Sequence, residues 1–256
     1  MILAIDQGTT GTTIRVTTIH GVEVASAYNE FKQYYPKPSW VEHDPLEIWQ
    51  VTQDSILQAL ASVRLSTDDI SCIGITNQRE TTVVWHKETG LPLYNAIVWQ
   101  CRRSADLCQE IKSRGKELWL QQKTGLVADA YFCATKLQWL FNEKPELKAL
   151  AEEGKLAFGT VDSWLMWQLS HGQAHCTDHT NASRTLLYDI RQQQWDDELL
   201  AFFDIPESVL PTIKPSAGVF CYSAVDGFLG KRVPITGVAG DQQSALFAQQ
   251  CTEAGM

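Results

Sequence analysis

The sequence has no Cys-x-x-Cys pair, and its seven cysteines are scattered at positions 72, 101, 108, 133, 176, 221 and 251. An odd, dispersed set excludes a disulfide framework and a zinc ribbon, and reads as reduced thiols in a cytoplasmic setting. Basic residues are few: 21 lysines and arginines stand against 30 aspartates and glutamates, for a net charge of −9. No Lys/Arg run occurs, so a nucleic-acid-binding surface is excluded. Long apolar runs are also missing. Asp6 interrupts the first one, so the N-terminus does not read as a signal peptide. Nothing approaches the ~20 apolar residues of a membrane span. The phosphate-binding patterns Gly-x4-Gly-Lys-Ser/Thr and Gly-x-Gly-x-x-Gly are both absent, so any phosphate must be held by turns of another kind. There is no internal repeat and no low-complexity segment. What remains is an ordinary globular composition, 44% hydrophobic and 20% charged, with nine tryptophans. That many indoles imply a core and a cleft with aromatic walls.

The most informative stretch is the first. Ile2 to Ile5 is a short apolar run that reads as a buried strand. It stops at Asp6, passes through Gly8-Thr9-Thr10-Gly11, and resumes as a second strand over Thr12 to Ile19, in which Thr13, Arg15 and Thr17 alternate with Ile14, Val16 and Thr18. Such a hairpin carries a carboxylate, two hydroxyls and exposed N–H groups at its tip. Successive N–H groups at a turn make an anion site, and a strand-end aspartate can hold a hydrated Mg²⁺. Turn formation alone would also account for the same residues.

Further along, Glu23 to Tyr34 continues as β structure, giving three consecutive antiparallel strands. Asp44-Pro45 starts a helix, with Trp49, Ile56, Leu60 and Val63 on one face. Ile70 to Thr76 is a buried strand that ends in the polar cluster Asn77-Gln78-Arg79-Glu80, and Thr81 to Trp85 is another strand. Strand ends are where open α/β sheets place ligands. Trp99 closes a further strand, a helix follows over about 103–114, and Tyr131 stands at the start of a later one. Asp162 reads as the N-cap of a short helix over Asp162 to Leu169. His171, His175 and His179 are spaced four apart, but Gly172 breaks the helical pattern that a metal site would need. Trp195 to Phe203 is a helix, followed by a loop-rich stretch to about Gly230. Val233 to Gly240 then gives strand, glycine turn and helix, with Asp241 at the helix start. There it serves either as a cap or as a carboxylate base aimed into a cleft.

Taken together, Asp6-Gln-Gly-Thr-Thr10, Tyr35-Pro-Lys-Pro-Ser-Trp-Val-Glu-His-Asp-Pro45, Asn77-Gln-Arg-Glu-Thr81, Val98-Trp-Gln-Cys-Arg-Arg103, Gly159-Thr-Val-Asp-Ser-Trp164, Asp178-His-Thr-Asn-Ala-Ser-Arg184 and Gly240-Asp-Gln-Gln243 resemble the FGGY carbohydrate kinases, and within them the members that phosphorylate glycerol. The match runs nearly end to end, whereas the first motif alone would indicate only the wider actin-like ATPase group. The resemblance implies an α/β, ribonuclease-H-like domain with a mixed sheet and helices on both faces, forming the N-terminal, substrate-binding lobe over residues 1–256. It implies that the nucleotide lobe, which supplies most of the adenosine pocket, is not part of this chain, and that the chain alone is inactive. It implies ATP and Mg²⁺ as cofactors and glycerol and ATP/ADP as partners, and it leaves open a homo-oligomer.

Residue by residue, the resemblance implies polyol binding by Arg79, Glu80, Trp99, Tyr131, Asp241 and Gln242. Asp241 corresponds to the general base, Asp6 to the Mg²⁺ carboxylate, and Thr9, Thr10, Gly11 and Thr13 to the phosphate turn. The family usually carries an arginine where Thr13 stands, and Arg15, on the same strand face, is the residue expected to reach back in its place. Gly227 to Arg232 resembles, imperfectly, a loop with which some relatives bind a sugar bisphosphate. A different polyol or sugar kinase of the family, or a non-catalytic polyol-binding domain, are the alternative readings.

Overall fold

The computed structural model describes residues 1–253 and 255. The first hairpin forms as its alternation predicts. Strand β1 (Ile2–Gln7) pairs antiparallel with β2 (Gly11–Thr17), and β2 with β3 (Glu23–Glu30). Leu3, Ile5, Ile14 and Val16 are fully buried on one face, and burial of each such side chain stabilises by about 1.5–3 kcal/mol. Ala4, Asp6, Thr13 and Arg15 take the other face. The tip requires glycine at position 11, because a Cβ there would lie 2.6 Å from the Asn29 carbonyl oxygen and 2.7 Å from the Tyr28 ring.

Three further strands complete a six-stranded sheet. Cys72–Asn77 runs parallel to β1, Pro234–Gly240 runs parallel to Cys72–Asn77, and Ala217–Tyr222 pairs antiparallel at the edge. This edge strand lies within the stretch read from sequence as loop. Gly218, at φ 134°, and a register shift interrupt the alternation that would have marked it. In register, Gln7 stands beside Asn77, and Asn77 beside Gly240. The three parallel strands therefore end level, and the residues that follow each of them meet in one crevice.

Helix α1 (Pro45–Ser62) is capped by Asp44, whose carboxylate accepts from Leu46 N–H at 2.8 Å. Its buried stripe is Ile48, Thr52, Ser55, Ile56, Ala59 and Leu60. Trp49, expected on that stripe, is partly buried against the same core and meets Phe228 edge-on. Val63, also expected there, sits exposed at the C-cap. The helix Val161–Leu169 lies beside α1, joined to it by Trp164 Nε1 donating to the Pro45 carbonyl at 2.9 Å. Both cover the Leu3–Ile5 face. The helix Asp241–Ala248 leans over the opposite face, where Gln243, Ser244 and Phe247 border a cavity of about 660 Å³ floored by Ala4, Gly74 and Gly237. The sheet is thus mixed and flanked by helices on both faces, as the resemblance implies. A second core gathers Leu137, Leu140 and Phe141 with Leu156, Phe158 and Phe203. Among the described residues no helix is long and apolar enough to cross a membrane.

Asp162 is not the N-cap of its helix. Thr160 holds that position, and the Asp162 carboxylate lies fully buried, accepting from the hydroxyls of Thr160 and Thr177. Burial, with Asp178 nearby, pushes its pKa up from 3.8 to about 7. A raised pKa means that the folded state keeps a proton the unfolded chain releases, so stability falls as pH rises from about 4 through about 7. Asp162→Asn mimics the neutral form and removes this dependence. The melting temperature of Asp162→Asn relative to wild type is expected to be higher at about pH 8 than at about pH 5, and a constant difference would contradict the assignment.

Candidate active site

Beyond the level strand ends, the backbone after Asn77 makes a sharp departure. Glu80 adopts φ 61°, a left-handed conformation that is uncommon outside glycine and costs of order 1–3 kcal/mol. The departure turns the Glu80 side chain inward, where it is 1% exposed and accepts from Arg184 Nε at 2.6 Å. It also turns the Glu80 carbonyl toward Lys136. That lysine is fully buried, and its ammonium donates to the carbonyls of Glu80 at 2.8 Å and Tyr131 at 2.6 Å. Burial lowers the Lys136 pKa to about 8. Burial also raises the pKa of Glu80, against the opposing pull of the Arg184 hydrogen bond.

Arg79 is 4% exposed and runs along the sheet end to Asp241. Its Nε donates to Asp241 Oδ1 at 3.2 Å, and its Nη1 to Gln243 Oε1 at 3.2 Å. Gly240 makes room for this path, since a Cβ there would stand 2.3 Å from Arg79 Cδ and 2.6 Å from Cγ. Gly240→Ala is accordingly expected to push the Arg79 stem aside and break both contacts, at about 1.5–3 kcal/mol for a hydrogen bond to a charged group. A crystal structure of the variant checks this, and Arg79 still within hydrogen-bond distance of Asp241 would refute it. Asp241 Oδ1 also accepts from the Gln242 N–H at 2.7 Å. Among the described residues nothing donates to Oδ2. The Gln242 side chain is exposed, and Gln243 is the glutamine that meets Arg79.

The wall of the crevice is aromatic. Trp99 and Tyr131 meet edge-on at 5.5 Å, and the Arg184 guanidinium lies 5.8 Å from the Tyr131 ring and 4.9 Å from that of Phe132. Burial and the negative charge of Glu80 raise the Tyr131 pKa. Trp99 Nε1 donates to Thr9 Oγ1 at 2.9 Å, tying this wall to the hairpin tip. Thr10 is exposed at the tip, and Gly11 is buried below it.

Asp6 and Thr13 pair across the hairpin on the open face and line the 660 Å³ cavity together with Arg15. Burial raises the Asp6 pKa, Asp241 adds to the rise by like-charge repulsion, and Arg15 opposes it. A carboxylate at a cavity edge suits a hydrated divalent cation, which needs only one or two such ligands. Arg15 is 63% exposed and bound to Glu23 Oε2 at 2.6 Å, so the expected reach toward the hairpin tip is not made.

The three histidines part company. His171 faces Asp226 at the surface, half-buried His175 meets the Phe158 carbonyl, and His179 meets the Tyr188 hydroxyl. Among the described residues no group of three or more His, Cys, Asp or Glu side chains forms a metal cluster.

Sequence reasoning missed Lys136, and it quoted Thr180, Asn181 and Arg184 only within a motif, without roles. Nothing local marks Lys136, whose neighbours Leu137 and Leu140 make it look like the solvated side of a helix. It is the carbonyl freed by Glu80 that draws it inside.

A crevice with two aromatic rings on one wall, alternating charges on its floor and one free carboxylate oxygen at its edge, at the switch between α/β strands, has the chemistry to hydrogen-bond a small polar ligand. Comparison with known proteins shows the family. Residues 1–248 match the FGGY family of carbohydrate kinases, N-terminal domain, and the chain belongs to that family. It is 52% identical over 255 residues to the glycerol kinases of Shewanella pealeana and Desulforamulus reducens, covering all of this chain but 52% and 51% of theirs. The chain therefore spans about half the length of these curated relatives. Plasmodium falciparum glycerol kinase, solved with ADP, superposes with a TM-score of 0.92 at 38% identity, over 97% of this chain and 50% of that one. A ligand-bound xylulose kinase from Lactobacillus acidophilus shares the fold, with a TM-score of 0.86 at 24% identity.

Proposed function

We propose that this chain is the substrate-binding lobe of an ATP-dependent glycerol kinase, which transfers the γ-phosphoryl group of ATP to a terminal hydroxyl of glycerol, giving glycerol 3-phosphate and ADP. The observation that carries the reading is the state of Asp241: Oδ1 is engaged by Arg79 and the Gln242 N–H, while Oδ2 is free to take a proton. Arg79, Glu80 and Tyr131 hold the hydroxyls, and charge-assisted hydrogen bonds from the first two fix an otherwise flexible triol. Trp99 packs on its carbon skeleton. As the hydroxyl oxygen bonds to phosphorus, its proton passes to Asp241 and the bond to the ADP oxygen breaks. Phosphoryl transfer needs positioning and charge neutralisation more than covalent help. Thr9, Thr10 and Gly11 offer the phosphate turn, with Thr13 below it. Asp6 would hold Mg²⁺, which when bound neutralises charge on the phosphates. The other half of the relatives' length is where the nucleotide lobe belongs. The seven free thiols accord with a reducing, cytoplasmic setting.

The test is ATP-dependent phosphorylation of glycerol by the 256-residue chain beside the complete gene product. The complete product is expected to turn glycerol over, and the chain alone is not. Turnover of a pentulose but not of glycerol would move the protein to another member of the family. One observation favours a non-catalytic polyol-binding domain: Thr13 stands where the family resemblance implies an arginine, and Arg15 is engaged by Glu23. Glycerol binding by the complete product without turnover would establish that alternative.

A further inference from the structure

Two halves of the crevice come from distant stretches, Arg79–Glu80 after one strand and Asp241 after another. Both are tied to a single short helical turn, His179–Ala182, through different side chains. Asp178, fully buried, anchors this turn. Its carboxylate accepts from the N–H and hydroxyl of Thr180, the N–H and side-chain amide of Asn181, and the hydroxyl of Ser216, all between 2.7 and 3.0 Å. Because the Thr180 hydroxyl donates to Asp178, its lone pairs are left to accept, and they accept the Gly240 N–H at 2.8 Å, one residue before Asp241.

Asn181 faces the other way. Its side-chain oxygen accepts from Asn77 Nδ2 at 2.9 Å, and its Nδ2 donates to Asn77 Oδ1 at 3.2 Å as well as to Asp178. The second proton of Asn77 Nδ2 goes to the Gln78 carbonyl at 2.9 Å. Every amide proton of the pair is used, so neither amide can flip without losing partners. This fixes the end of the strand from which Arg79 and Glu80 depart.

We propose that Thr180 and Asn181 are positioning residues with separate duties: Thr180 sets Asp241, and so the proton transfer, while Asn181 sets Arg79 and Glu80, and so the hold on the polyol. The inference rests on the functional reading above. Thr180 touches the Asp241 arm through one main-chain N–H, and Asn181 touches the other arm through one side chain, so substitutions can separate them.

The experiment is steady-state kinetics of glycerol phosphorylation by the complete gene product carrying Thr180→Val, Thr180→Ser or Asn181→Ala. Thr180→Val keeps the shape and removes the acceptor. It is expected to lower kcat about tenfold or more with KM for glycerol within about twofold, the pattern of a contact that matters in the transition state. Thr180→Ser, which keeps the hydroxyl, restores kcat. Asn181→Ala is expected to raise KM about tenfold with kcat within about threefold. Both substitutions changing kcat and KM in the same proportion, or failure of Thr180→Ser to restore kcat, would overturn the division. Amide hydrogen exchange on the 256-residue chain gives an answer independent of turnover. Thr180→Val should speed exchange at Gly240 and leave the Asn77 side-chain amide slow, and unchanged exchange at Gly240 would refute the proposal. Glu80→Ala is the control. If it leaves KM unchanged, the functional reading has failed; if it raises KM while the two positions do not separate, only the present inference has.

Discussion

Asp241→Asn is expected to lower kcat for glycerol phosphorylation by the complete gene product by about a hundredfold to a thousandfold, with little change in KM. Positioned proton transfer contributes typically 10²–10⁴-fold, and the loose transition state of phosphoryl transfer places the effect in the lower part of that range. The substitution is selective. An asparagine Oδ1 can still accept from Arg79 Nε and the Gln242 N–H, so the contacts that hold the side chain survive. What is lost is the second oxygen, on which a proton would land. Steady-state kinetics with a thermal melt checks this. A variant with wild-type kcat would remove Asp241 from the chemistry and leave it as the first residue of a helix.

Glu80→Ala is expected to raise KM for glycerol at least tenfold and to lower the melting temperature as well. Both effects have one origin. Glu80 is buried and paired with Arg184, itself 23% exposed, and truncating one member of a buried charge pair costs about 2–5 kcal/mol, because the other is left without a partner. Alanine at position 80 retains the unfavourable φ of 61°, so the strain is kept while its compensation is removed. Glu80→Gln keeps an acceptor for Arg184 Nε and should lie between the two. Calorimetric titration with glycerol and a thermal melt on the same samples check both parts. Unchanged affinity in Glu80→Ala would place the polyol elsewhere.

The parts of this account that were legible in the sequence are those set by local pattern. The alternation of Ile14 and Val16 with Thr13 and Arg15 specifies a half-buried strand, the Asp44-Pro45 pair specifies a helix start, and polar residues directly after apolar runs mark strand ends, where Arg79, Trp99 and Asp241 stand. The resemblance supplied the roles. The parts that were not legible depend on contacts between distant segments. Gln242 and Gln243 are identical in sequence terms, but one step along a helix turns the side chain by 100°, and only the path of Arg79 decides which of them it meets. Lys136 looks like a solvated helical lysine until the left-handed turn at Glu80 presents a carbonyl to it. Arg15 is free in sequence to reach the hairpin tip, and Glu23, diagonal to it on β3 and opposite Thr17, takes it instead.

The most direct test of the central claim is a crystal structure of the complete gene product with glycerol bound. The account predicts the triol against Trp99, two of its hydroxyls within hydrogen-bond distance of Arg79 and Glu80, and a terminal hydroxyl on the free Oδ2 of Asp241. Glycerol bound away from Asp241, or with its terminal carbons turned from that oxygen, would contradict it.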